Sequence, residues 1–587
     1  MAERTLHKTP SVAGVTHHLT DYAISRRQFS WQTVRRALTG GTAAGLNMAH
    51  EALERQIERG RGEQIAVRFI DRDWKRLDLT YAQLEQRASR FANVLGSLGI
   101  ERGAAVATVL GRTPELFSVG LGTLKAGNIF CPLFSAFGPE PLKTRLQLGH
   151  VKVLVTSEAL YRRKVAQIRH ALPELQHVLI VREPAQAEPA ADTADFAHLM
   201  SRAAQHCDTA PTVDADVALL HFTSGTTGKP KGVTLTHAAV IAQHATSQLV
   251  LDLHPAEVFW CTADPGWVTG IAYGVIGPLT CGVTMIVDRE EFDPQRWYRI
   301  LEEERVNVWY TAPTAIRMLM KAGTALARAR RFPHLRHMAS VGEPLNAEAV
   351  TWGVAAFDMP FHDTWWQTET GAIMIANFAA CEVLPGSMGR AVPGIEAQVV
   401  RRTSQGKLEV IESPDQVGEI ALKPGWPSMF SGYLEDPERY RASFLDGWYL
   451  AGDLARRDQA GYFWFIGRAD DVIKSAGHLI SPFEIESALM THPAVAQVAV
   501  IGVPDPIAGQ AVKAFVELKS AFQASDALRL KIMGHARRLL GAVVAPREIA
   551  FEESLPRTRS GKIMRRLLRA RELGLPEGDL STLEGRE

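Results

Sequence analysis

From residue 46 to residue 321, short apolar runs alternate with segments whose apolar positions recur every three or four residues. The first pattern belongs to a buried strand, the second to a helix laid against a sheet. The alternation predicts a helix to 59, a strand over 65–70, a helix over 81–98 and a strand over 105–110. A helix over 115–126, a strand over 152–156, a helix over 160–171 and a strand over 177–181 follow. Such a succession implies mostly parallel sheet with helices packed outside. Residues 182–214, rich in Ala, Pro and Asp, have the composition of a surface connection.

Past that connection lies the stretch VALLHFTSGTTGKPKGVTLTH, residues 217–237: an apolar strand, a polar loop and an alternating return strand. A helix to about 250, strands over 257–261 and 282–287, a helix over 294–304, a strand over 306–310 and a helix over 313–321 come next. In open parallel sheets chemistry gathers at the carboxyl ends of the strands. Strands are also expected over 336–341 and 361–371. From about 386 to 466 the pattern shifts to short β segments with Gly and Pro turns, which implies a β subdomain.

Residues 470–587 form a separate α+β unit. In SPFEIES, Ser481 can cap a helix, Pro482 fits its first turn and Glu484 completes a capping box. Strands over 495–501 and 511–518, a helix over 525–540 and a strand over 548–551 complete it, and GRADDV over 467–472 is the expected hinge. The expected fold is therefore α/β, with an extended arm over 1–45 and a large domain of mostly parallel sheets and helices over 46–469. A smaller mobile α+β domain over 470–587 completes it.

Composition narrows the function classes. With 46% hydrophobic and 22% charged residues and a formal charge of +1 over 587 residues, nothing suggests disorder or a polyanionic partner, so a nucleic-acid binder is disfavoured. Cys131, Cys207, Cys261, Cys281 and Cys381 form no CxxC pair and read as reduced thiols of a cytoplasmic protein. No run reaches membrane-spanning length, and the N-terminus lacks the apolar core of a secretory signal. Its first 45 residues carry several Arg and few acids, which leaves a transit peptide as an open alternative.

The loop of 223–231 has the makings of a polyanion site. Gly225, Gly228 and Gly232 let the backbone approach a ligand, Thr223, Ser224, Thr226 and Thr227 offer hydroxyls, and Lys229 and Lys231 add positive charge. It is not a Walker A loop. Pro230 follows Lys229 where Ser or Thr is required, and Thr223 stands where that motif has its first Gly.

TSGTTGKPKG resembles the phosphate loop of the adenylate-forming superfamily, which includes acyl-CoA synthetases, luciferases and peptide-synthetase adenylation domains. Later motifs recur in that family's order, from about residue 46 to the tail LPEGDLSTLE, and are most similar to those of acetyl-CoA synthetases. The resemblance implies that Gly342, Glu343 and Pro344 of SVGEPLN contact adenine, and that Asp363, Thr364, Trp365, Gln367 and Thr368 of FHDTWWQTETG contact the nucleotide. Glu369 would help hold Mg²⁺ on the ATP phosphates, a hard cation on an oxygen ligand. Asp453 of YLAGDLARRD would accept both ribose hydroxyls, as a carboxylate can, with Arg468 beside the ribose or phosphate.

Lys562 of PRTRSGKIMRR matches the lysine that reaches the carboxylate and α-phosphate, and Asp470 matches the pivot of the small domain. Thr223, Glu369 and Lys562 are thus the implied catalytic residues. Met490, His492 and Val495 match a structural Mg²⁺ site, and Ser475 and Gly477 flank the expected CoA thiol path.

Val268, Thr269, Val341 and Trp366 match the acyl pocket, where an indole closes the floor and a Gly opens a tunnel for longer acids. Acetate is the expected acid and propionate the second choice, activated with ATP to an acyl-adenylate and passed to CoA. A ligase for a larger carboxylic acid and an adenylation module loading a carrier protein are the alternatives, and a non-catalytic nucleotide sensor would be expected to lack Lys562 or Asp453. The resemblance adds a lysine acetyltransferase and deacetylase acting on Lys562 as partners. One departure stands out: AGHL carries Leu479 where the family often has Arg, which leaves the CoA nucleotide without an assigned cation.

Overall fold

The implied parallel strands build two sheets. The computed structural model describes residues 6, 15–39, 45–182, 192–224, 230–475, 478–506, 508–541, 544–558, 562–578, 580 and 583, without the side chains of 224, 478 and 479. One sheet runs Gly432–Tyr433, Pro230–Thr236, Val217–Ser224, Ile129–Leu133, Ala105–Val109, Val151–Ser157, His177–Val181, Ala194–Asp195. Its Ala105–Val109, Ile129–Leu133, Val151–Ser157 and His177–Val181 strands pair in parallel, and Val217–Ser224 with Pro230–Thr236 is the expected antiparallel hairpin.

The second sheet runs Arg390–Ala391, Ile375–Ala376, Phe361–Trp365, His337–Ser340, Val308–Thr311, Val258–Cys261, Thr284–Asp288, Ile65–Ile70, Arg76–Thr80. Its five strands from Phe361–Trp365 to Thr284–Asp288 are parallel. Val106 and Leu219 of the first sheet and Phe259 and Met285 of the second share one buried cluster with Phe91, Val119 and Val240 of the helices between them.

Helix Tyr81–Ser97 starts with a capping box, Thr80 accepting from Gln83 N and Gln83 returning a bond to the cap. Helix Pro114–Lys125 lies wholly within the core apart from Glu115. Gly122 permits that position, since a Cβ there would meet the Ala88 carbonyl oxygen at 2.5 Å. Its last residue, Lys125, is only 1% exposed and is paired with Glu54 at 2.6 Å and Glu85 at 3.2 Å.

Several elements differ from expectation. Residues 15–39, expected as part of an extended arm, hold helices Tyr22–Gln28 and Trp31–Thr39, and Tyr22 donates to the Ala391 carbonyl at 2.8 Å. The connection over 182–214 contains helix Phe196–Arg202, capped by Asp195. Strand Arg76–Thr80, strand Ile129–Leu133, helix Pro139–Leu148 and the helical turns from Val268–Ile271 to Gly277–Cys281 were not expected. The strand expected over 361–371 ends at Trp365 and gives way to a turn. The helix expected over 160–171 is a π turn, Tyr161–Val165, followed by a 3₁₀ helix, Ala166–Ala171.

The β subdomain is an antiparallel sheet in which Trp448–Arg457 lies between Val417–Leu422 and Phe463–Arg468. The smaller C-terminal domain centres on the hairpin Val495–Asp505 and Gly509–Leu518, with Glu548–Glu552 alongside in parallel. Helices Pro482–Met490 and Asp526–Leu540 cover it. Ser481 Oγ accepts from Glu484 N at 3.1 Å, as expected of the cap, and donates to the Ile466 carbonyl of the β subdomain. The reciprocal bond that would complete the capping box is not formed among the described residues.

All five cysteines are free thiols. Among the described residues, no helix is long and apolar enough to cross a membrane.

Candidate active site

The hairpin places Thr223 opposite Lys231 and Ser224 opposite Pro230. Gly225, Thr226, Thr227, Gly228 and Lys229 lie outside the described residues. Lys231 Nζ lies 5.5 Å from the centre of the Tyr433 ring, and Tyr433 Oη donates to Glu369 Oε1 at 2.9 Å. Burial lowers the Lys231 pKa, a nearby Arg439 adds to the shift, and the Glu369 carboxylate opposes it. A cation and a hard oxygen donor thus share one partly dry place, which suits a magnesium–phosphate group.

Three parallel strands of the second sheet, Val308–Thr311, His337–Ser340 and Phe361–Trp365, aim their carboxyl ends at the same region. The middle one turns at Gly342, whose φ of 94° only glycine adopts without strain. Glu343 behind it is fixed by Thr314 Oγ1 at 2.6 Å and by Arg317, both from helix Pro313–Ala322. Pro344 completes that turn.

Asp363 is buried. Its carboxyl group accepts from Ser340 Oγ at 2.6 Å and from Thr364 N at 3.0 Å, and burial pushes its pKa up to about 7 against those bonds. The carboxyl therefore braces the sheet from within. The Thr364 hydroxyl is likewise engaged inside, donating to the Ser340 carbonyl at 2.6 Å.

At the ribose end, Asp453 Oδ2 accepts from Trp365 Nε1 at 3.0 Å and Gln367 Nε2 at 2.9 Å, and Oδ1 accepts from Arg468 at 3.1 Å. Tyr449 Oη donates to Gln367 Oε1 at 2.8 Å, which fixes which end of the amide faces Asp453. Burial raises the Asp453 pKa, while Arg468 and Lys562 hold it down by their charge. Lys562 is exposed and belongs to the C-terminal domain, yet its field reaches the large domain's carboxylate. Its turn is closed by Thr558 N donating to the Lys562 carbonyl at 2.7 Å. Thr368 is half-buried in the turn that follows Gln367.

Of the residues expected to line an acyl pocket, Val268 and Thr269 open helix Val268–Ile271, Val341 directly follows the middle strand, and Val268 and Trp366 pack against the cluster that contains Val341, Tyr273 and Tyr310.

Asp470 lies in the turn between strands Phe463–Arg468 and Ile473–Ser475, 3.5 Å from Arg468 Nε. Ser475 is buried opposite Gly509, whereas Gly477 and the Leu479 side chain lie outside what is described. Met490, His492 and Val495 gather at the end of helix Pro482–Met490. His492 Nδ1 accepts from Ala494 N at 3.2 Å, so that nitrogen is closed to a cation and the oxygen donors of the three are main-chain carbonyls.

Among the described residues, the one grouping of acidic and histidine side chains with metal-ligand spacing is elsewhere, at His18, Asp252 and His254. There the two imidazoles stack 4.1 Å apart and Arg336 pairs with Asp252 at 2.7 Å, an arrangement that clasps the N-terminal segment. Parallel stacked rings cannot both aim a lone pair at one ion.

Sequence reasoning missed Tyr433, Tyr449, Tyr310, Tyr273 and Arg317. Tyr310 lies in a strand next to a named one, which was a usable signal. Tyr433 comes from a two-residue strand, Gly432–Tyr433, that carries no periodicity.

The family model described as AMP-binding enzyme matches residues 53–434, and the one described as AMP-binding enzyme C-terminal domain matches 484–562. The acetyl-coenzyme A synthetase of Bacillus subtilis (strain 168) is 43% identical over 583 residues, 99% of this chain and 100% of that protein. The acyl-CoA synthetase of Brucella canis, a crystal structure, superposes with a TM-score of 0.74 at 35% identity, covering 95% of this chain and 99% of its own. An anthranilate CoA ligase in complex with anthranoyl-AMP gives 0.81 at 25% identity over 91% and 98%. With both family models matched in order along the chain and a relative 43% identical over nearly its whole length, the chain belongs to the AMP-binding enzyme family.

Proposed function

We propose that this chain is an AMP-forming acid:CoA ligase acting on acetate, with propionate as second choice. The supporting observation is the half-buried Trp366 indole, packed like Val268 against the cluster that contains Val341, where a bulky ring would exclude longer acids. The relatives named acetyl-coenzyme A synthetase agree with that size.

In the first half-reaction an acetate oxygen attacks the α-phosphorus of ATP, the bond from that phosphorus to the bridging oxygen breaks, and pyrophosphate leaves. The loop of 223–231 orients the phosphates, Asp453 and Gln367 fix the nucleoside, and Lys562 offsets negative charge that builds in the transition state. Glu369 would hold magnesium, which would supply further neutralisation of the phosphate charge. In the second half-reaction the CoA sulfur attacks the acetyl carbon and AMP departs, after the small domain turns about Asp470 and brings the Ser475–Gly477 face to the site. His492, with the Met490 and Val495 carbonyls, remains a proposed structural magnesium site.

The free thiols support a cytoplasmic setting. Acetylation of the exposed Lys562 by a protein acetyltransferase, reversed by a deacetylase, would remove the charge and stop adenylation.

The test is a panel of acetate, propionate, butyrate and benzoate, with AMP and thioester scored separately. Acetate should give both products fastest; AMP without thioester would favour a carrier-loading module, and faster benzoate turnover a larger-acid ligase. Lys562→Ala should abolish acetate-dependent ATP–pyrophosphate exchange and still form thioester from supplied acetyl-adenylate.

A further inference from the structure

The indole of Trp366 is held by a chain of hydrogen bonds whose direction can be worked out. Thr364 Oγ1 lies 2.6 Å from the Ser340 carbonyl, which can only accept, so the Thr364 proton points there. Tyr310 Oη lies 2.8 Å from Thr364 Oγ1 and therefore donates to it. The remaining lone pair of Tyr310 accepts from Trp366 Nε1 at 3.3 Å. The sequence runs Trp366 to Tyr310 to Thr364 to Ser340, and every proton has one place to go.

A second restraint is aromatic. The Tyr273 ring meets the Trp366 indole edge-on, 5.2 Å between centres at 80°, and meets Tyr310 at 5.8 Å and 82°. Tyr273 cannot swing aside, because its hydroxyl accepts from Ile373 N at 2.8 Å and lies 2.7 Å from Thr246 Oγ1. The Thr246 proton is taken by the Ala242 carbonyl at 2.6 Å, so Tyr273 donates to Thr246. Both tyrosines are fully buried, and burial raises each phenol pKa far enough to keep it protonated.

A wall selects by overlap only if it cannot turn. A free indole has two roughly equivalent settings about its second side-chain torsion, and only one brings Nε1 to Tyr310. The chain also ends on the carbonyl of Ser340, the neighbour of Val341, so floor and side wall share one anchor.

We propose that Tyr310 is a positioning residue for acid size: its hydroxyl locks Trp366 as the floor of the acyl pocket, with Tyr273 as the backstop. This rests on the reading of Trp366 as that floor. Tyr310→Phe keeps the ring and removes the hydroxyl, with its bonds to Trp366 and Thr364.

The experiment measures kcat and KM for acetate and butyrate in wild type, Tyr310→Phe, Trp366→Gly and the double variant. Loss of the hydrogen bond to the indole predicts about a five- to tenfold rise in the butyrate-to-acetate ratio of kcat/KM for Tyr310→Phe, mainly through KM. In the Trp366→Gly background the same substitution should leave the ratio unchanged, since nothing remains to be held.

If Trp366→Gly accepts butyrate no better than wild type, the floor reading itself fails. If Trp366→Gly opens the pocket while Tyr310→Phe leaves the ratio at the wild-type value, the floor stands and the lock is overturned. An equal effect of Tyr310→Phe with and without the indole would also overturn it, by marking a general packing role. Should Tyr310→Phe fail to fold, Thr364→Val cuts the chain one bond further away and separates the same outcomes, with a smaller rise expected.

Discussion

Asp363 is the residue whose charge is most at odds with its place. Its carboxyl ordinarily titrates near 3.8 and is pushed up to about 7 here by burial, against the donors Ser340, Leu345 and Thr364. Between those values the folded chain holds a proton that the unfolded chain has released. The contribution is therefore fully present below about 3.8 and is lost as pH rises through 7, at about 1.4 kcal/mol for each tenfold difference in proton affinity between the two states. Asp363→Asn cannot titrate. Urea midpoints measured from pH 5 to pH 8 should fall more steeply for the wild type than for Asp363→Asn; parallel curves would show that the carboxyl is ionised throughout.

At the scale of elements, helix Pro114–Lys125 combines an apolar body with a charged terminus inside the protein. Lys125 is paired with Glu54 and Glu85 and also donates to Thr209 at 3.0 Å. Burial would raise the Glu54 pKa, but bonds from His50, Lys125 and Thr209 bring it down to about 2. Removing one partner of a buried pair leaves the other uncompensated. Lys125→Met should therefore lower unfolding free energy by about 3 kcal/mol in a denaturant titration, while the surviving folded fraction keeps its acid preference. A loss under about 1 kcal/mol would mean that water already reaches the pair.

The same elements show what was legible. Ile65–Ile70 and His177–Val181 are short apolar runs rich in β-branched residues, and the pattern predicts both at their observed bounds. Ile129–Leu133 was missed because Pro132 lies within it and argues against a strand. The arm hid its first helix because Tyr22–Gln28 has no buried residue and so no apolar stripe, whereas Trp31, Val34 and Leu38 of Trp31–Thr39 were a usable signal.

Motif spacing named Asp453, Trp365 and Gln367 separately. That Trp365 and Gln367 both donate to one carboxylate oxygen could not be read from it, since they meet Asp453 across separations of 88 and 86 residues. Local pattern reports secondary structure; such a junction is set by how the β subdomain packs on the sheet.

For the molecule as a whole, the question is what holds the C-terminal domain with Lys562 toward the nucleotide site. Helix Pro313–Ala322 has a role at both ends. Thr314 and Arg317 near its start fix Glu343, and Lys321 near its end lies 3.5 Å from Glu517 of the small domain. Glu517 also binds Arg557, in the segment that leads into the Lys562 turn. One carboxylate therefore ties the segment that carries Lys562 to the helix that braces the Gly342 turn.

Lys321 is 55% exposed, so its pair contributes about 1 kcal/mol or less. That is enough to shift a balanced equilibrium between two domain orientations several-fold. Glu517→Gln should slow acetate-dependent ATP–pyrophosphate exchange by about three- to fivefold and leave thioester formation from supplied acetyl-adenylate as fast as before or faster. Raising the salt concentration should narrow the gap between variant and wild type, because the exposed half of the bridge is screened. A variant slowed equally in both half-reactions would point to a damaged small domain rather than a released latch.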